Sequence, residues 1–83
     1  MKYTVVFEGT PNNWSAYVPD LPGCISTGKT REEVERMIKE AIEFHLEGMA
    51  ADDDPLPEIT TYAKEIDVVM PEKYDKQTTR RAS

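Results

Sequence analysis

Apolar and polar positions alternate along this chain with two different periods. Tyr3, Val5 and Phe7 alternate with Lys2, Thr4, Val6 and Glu8, and Trp14, Ala16 and Val18 alternate with Ser15 and Tyr17. A period of two marks half-buried strands. The turn-forming cluster Gly9-Thr10-Pro11-Asn12-Asn13 separates the two runs, so they are expected to pair as a hairpin. Residues 24–27 read as a short third strand. From residue 31 the period changes: Val34, Met37, Ile38, Ala41, Ile42, His45, Leu46 and Met49 recur every three or four positions. That spacing draws one apolar stripe along a helix over 31–49. Thr30, with Glu33 three residues on, predicts a capping box at its start. Gly48 and the run Asp52-Asp53-Asp54-Pro55-Leu56-Pro57 are expected to end it and form an exposed connector. Residues 59–63 read as a partial helical turn. Residues 65–70 alternate again, with Ile66, Val68 and Met70 on one side, and Pro71 closes this fourth strand.

The predicted order is therefore β-β-β-α-β, an α+β fold with one long helix packed on one face of a small sheet. The helix is expected to cover Tyr3, Val5, Phe7, Ala16, Val18, Ile66 and Val68. The other face then shows Thr4, Val6, Ser15, Tyr17, Asp67 and Val69. Its apolar members Val6, Tyr17 and Val69 point to an oligomer or docking face. The domain is expected to span 1–71, followed by a polar, basic, flexible tail over 72–83.

The run 18–30, Val-Pro-Asp-Leu-Pro-Gly-Cys-Ile-Ser-Thr-Gly-Lys-Thr, joins strand, turn, strand and helix cap with almost no spare residues. Pro19 and Pro22 fix φ and remove backbone donors, and Gly23 and Gly28 suit tight or left-handed positions.

At 83 residues the chain is one domain of marginal independent stability. No apolar run approaches the roughly 20 residues of a membrane span. The start of the chain lacks the apolar segment of a signal peptide, so a cytoplasmic setting is expected. One cysteine excludes an internal disulfide and fits a reducing compartment. The net charge of −6 is unevenly spread: residues 1–70 carry fourteen acids against six bases, and residues 71–83 carry four bases against two acids. An acidic body repels nucleic acid and attracts basic partners. Chemistry is sparse. His45 lies on the apolar helix stripe. One His and one Cys fall short of the four N/S ligands of a structural zinc site. Cys24 has no predicted base beside it, and Asp52-Asp53-Asp54 lacks the spacing of a calcium loop. Glu8, Asp20 and Asp67 are the strand-associated acids of a conceivable metal nuclease, but they do not fall together. No catalytic residue, cofactor or metal site is assigned.

The strand ending in Pro19-Asp20-Leu21-Pro22-Gly23-Cys24, then Ser26-Thr27-Gly28-Lys29-Thr30 and a Glu-rich amphipathic helix, resembles the HicB antitoxin family over about residues 3–70. The resemblance implies a reduced ribonuclease H-like fold without the enzyme's activity. It also implies a type II antitoxin that binds and covers a small, basic, HicA-like toxin that cleaves messenger RNA. Acidic Glu40, Glu43 and Glu47 on the helix rim are the expected toxin contact, and a homo-oligomer, dimer or tetramer, is expected. Longer members add a C-terminal DNA-binding domain. The 13 residues after Met70 are too few for one, which puts operator binding in doubt. The alternative from another class is a stand-alone oligomeric module with a scaffold or ligand-binding role.

Overall fold

A computed structural model describes residues 1–74. Three strands form one antiparallel sheet: β1 (Val6–Thr10), β2 (Asn13–Tyr17) and β3 (Ile25–Gly28), in the order β1-β2-β3. They are followed by α1 (Arg31–Ala51). The α+β arrangement with a single long helix is as the periodicities predict. The register pairs Phe7 with Ala16 and Gly9 with Trp14, which puts them on the helix side. It pairs Val6 with Tyr17, and Tyr17 with Ile25, on the open side. Gly9 is required where it stands. A Cβ there would lie 2.6 Å from the Trp14 ring, so the indole lies directly over the bare backbone of its cross-strand partner.

The core consists of Ala16, Val18, Leu21, Cys24, Val34 and Ile38. Leu21 comes from the proline turn and is fully buried. Three backbone bonds knot that turn: Val18 N to Cys24 O at 3.1 Å, Leu21 N to Val18 O at 3.0 Å and Cys24 N to Leu21 O at 3.0 Å. Gly23 supplies the positive φ, +84°, that the knot needs. The run read as a connector thus also plugs the core.

Both ends of α1 have a local cause. Thr30 Oγ1 accepts from Glu33 N at 3.0 Å, as the capping box predicts. The return bond differs: Glu33 Oε1 accepts from Lys29 N at 2.6 Å, one residue before the cap. At the other end the helix continues to Ala51, two residues past the predicted stop. Asp54 N bonds Met49 O and Asp53 N bonds Ala50 O, with Asp53 at φ 58°. This is a Schellman motif with aspartate in the place glycine usually fills.

The predicted fourth strand pairs with nothing among the described residues. Residues 65–70 have no regular structure, and Ile66 and Val68 are 68% and 71% exposed. They do not lie under the helix as expected, and Phe7 is also partly exposed. The physical reason is the placement of α1, which packs on β2 and β3. The sheet and helix therefore close without a fourth strand. Residues 59–63 form no helical turn. Thr60 and Thr61 within them are instead held by hydrogen bonds to Asp20 and Thr4. Glu72–Tyr74 make a short helical turn where a flexible tail is expected, and the rest of that tail lies outside the described residues.

Candidate interaction surface

The C-terminal half of α1 and the start of β3 enclose a groove of about 430 Å³. Its walls include Cys24, Ile25, Phe44, His45 and Met49, and Asp52 and Asp54 stand at its end. The helical repeat dictates this mixture. His45 and Met49 lie four apart at the margin of the apolar stripe, while Phe44 falls one step outside it and stays 78% exposed. Phe44 and Tyr62, at 78% and 83%, are the most exposed of the aromatic side chains described.

Glu40, Glu43 and Glu47 are all exposed on α1. Glu40 and Glu47 lie four residues before and three after Phe44, so they flank its ring on the helix surface. Glu43 differs: its Oε2 accepts from Lys39 Nζ at 2.8 Å. That bond and the nearby negative charge raise the Lys39 pKa. Glu43 is thus partly neutralised within its own helix. The sequence pattern missed Phe44, although its position among acids just off the apolar stripe is visible in the spacing.

Asp52, Asp53 and Asp54 add negative charge at the C-terminal end of the helix, where the macrodipole is already negative and the last turn holds no basic residue. This arrangement works against helix stability. It concentrates acid at the mouth of the groove.

The other expected face is assembled only in part. Val6 and Tyr17 are register partners, and Ile25 extends them into an apolar row across all three strands. Val69 does not join that row; it is 97% exposed on the unpaired segment. Cys24 is buried, and burial pushes its thiol pKa up, away from the reactive thiolate. Glu8, Asp20 and Asp67 do not converge. Among the described residues, no three His, Cys, Asp or Glu side chains are grouped to hold a metal ion.

Asp20 has a different role, one the sequence does not announce. It is the one buried charged residue among the described residues. Its carboxylate accepts from Thr60 Oγ1 at 3.1 Å, Thr61 N at 3.1 Å and Thr61 Oγ1 at 2.9 Å. Thr4 Oγ1 donates to Thr61 O at 2.9 Å. Partial burial acts to raise the Asp20 pKa, but the bonds from Thr61 and Thr60 outweigh it, so the carboxyl lies below the ordinary value. Asp20 thus clasps the chain beyond the connector to the sheet. Nothing in a one-dimensional pattern links it to threonines some forty positions away.

A family model described as a HicB-like antitoxin of bacterial toxin–antitoxin systems matches residues 3–79. A UPF0150 protein of Helicobacter pylori is 41% identical over 71 residues, covering 86% of this chain and 92% of the relative. A UPF0150 protein of Thermoplasma acidophilum is 38% identical over 69 residues, 76% of this chain and all of the relative. A 14.9 kDa protein from the rep–hol intergenic region of Haemophilus phage HP1 is 46% identical over 57 residues. That match spans 69% of this chain but only 43% of the phage protein. No solved structure matches the chain. Among the described residues, no helix is long and apolar enough to cross a membrane.

Proposed function

The chain belongs to the HicB-like antitoxins of bacterial toxin–antitoxin systems, and from that premise we propose that it is a non-enzymatic, cytoplasmic antitoxin. It neutralises a small basic, HicA-like toxin by direct binding. The observation that carries this reading is the groove beside α1, where exposed Phe44 is flanked by Glu40 and Glu47 and Asp52 and Asp54 stand at the end. An aromatic anchor within an acidic rim suits a basic surface that ordinarily meets RNA phosphate. The aromatic ring supplies affinity, while the acids supply long-range attraction and substitute for phosphate.

The test is binding of purified chain to the basic product of an adjacent short reading frame. Phe44→Ala is expected to speed dissociation, at a cost of about 2 kcal/mol or more for a buried aromatic anchor. Reversing Glu40, Glu43 and Glu47 to Lys is expected to slow association and flatten its salt dependence while leaving the helix content intact. Binding unchanged by either variant moves the contact elsewhere. If no basic partner binds, the stand-alone module takes its place. The open-face row Val6–Tyr17–Ile25 favours self-association in that reading and is compatible with a dimer or tetramer in the first.

A further inference from the structure

A second groove, of about 490 Å³, runs along the opposite side of α1. Its walls include Tyr3 and Val5, just before β1, and Ile42 and Leu46 on the helix. It exists because α1 packs towards β2 and β3 and leaves the β1 side of the layer unfilled. The outer edge of β1 carries no partner strand among the described residues. The hydroxyl of Tyr3 is buried there without a hydrogen-bond partner among them. A buried, unpartnered hydroxyl is costly, and an open edge is a template for another strand. This side of the molecule is shaped to receive a strand with an apolar face.

The same chain carries a segment of that pattern, unpaired among the described residues. Residues 62–70 have no regular structure and are exposed, and their sequence alternates so that a strand here would carry Ile66, Val68 and Met70 on one side. The root of this segment is fixed to its own copy by the Asp20 clasp and the Thr4–Thr61 bond. Beyond that root it leaves the body. The radius of gyration is 16.8 Å and the long axis 55 Å, where a compact chain of this length would have a radius near 12 Å. Residues 77–83 contain no large apolar side chain to serve in its place.

We propose that residues 62–70 of one copy add to the β1 edge of a second copy, and reciprocally, in a strand-exchanged dimer. Ile66 and Val68 then fill the groove between Tyr3, Val5, Ile42 and Leu46. The alternate side of the strand brings Val69 onto the open face beside Val6, completing the row of Val6, Tyr17 and Ile25. Each copy supplies its β1 edge, which is the edge beside the groove, and one unpaired segment, so a twofold arrangement satisfies both. The proposal is independent of any toxin.

The test is the full-length chain by sedimentation, with amide exchange and mixed-isotope NMR. The expected result is a dimer at micromolar concentration, protected amides over 65–70, and intermolecular contacts between 65–70 and 4–10. Val68→Pro removes a strand donor at a position that is 71% exposed in the single copy. It is expected to weaken the dimer roughly 100-fold or more while circular dichroism of the sheet and helix stays unchanged. A monomer overturns the proposal, whether its 65–70 amides are open or protected within one chain. A dimer that Val68→Pro leaves intact overturns it too, and moves the interface to the open face.

Discussion

Asp53 stands at a backbone position, φ 58°, that strains any residue with a Cβ. Its carboxylate also meets the negative end of α1. Asp53→Gly removes both penalties and is expected to stabilise the fold by about 1 kcal/mol, read as a higher urea midpoint with an unchanged slope. Leu21→Ala acts in the opposite sense. It opens a cavity at a fully buried core position and is expected to cost about 2–5 kcal/mol, enough to leave much of so small a domain unfolded at 25 °C. Gly9→Ala is expected to cost about 1–3 kcal/mol by lifting Trp14 off the strand, with a shift in its fluorescence as the readout. At this scale the sequence was legible where chemistry is local. Thr30 and Glu33 announce the cap, and Gly23 announces the tight turn. Leu21 was hidden because its neighbours are prolines and glycine, and period counting treats such a run as a loop.

The elements follow their periods, since each is defined by neighbours close in sequence. The three strands and the helix were readable, with ends displaced by a few residues. The fourth strand shows the limit of that argument. Alternation over 65–70 states that the segment can pair, but not where its partner lies. The Asp20 clasp is equally invisible, because it depends on which loop the chain revisits. Its ionised form accepts three bonds, and the folded pKa lies below the unfolded one. The stabilisation is therefore present above about pH 4, the ordinary carboxylate value, and is lost as pH falls through the lower folded value. Amide exchange at Thr61 is expected to accelerate in that acid window while α1 stays protected. Asp20→Ala should release the segment even at pH 7, because it removes the acceptor of all three bonds.

For the whole molecule, the order of the chain is also the order of its contacts. Each strand pairs with the next, and α1 lies against the two strands that precede it. The sheet and helix are complete by Ala51, whereas the clasp joins residues 41 positions apart. Such local connections form fast, and distant closures form late. A chain made from its N-terminus therefore folds its body while residues 60 and 61 are still inside the ribosome. Until they emerge, Asp20 is a carboxylate without its threonines. The anchored state therefore arises after the body has formed, and the clasp is the last of these contacts to close.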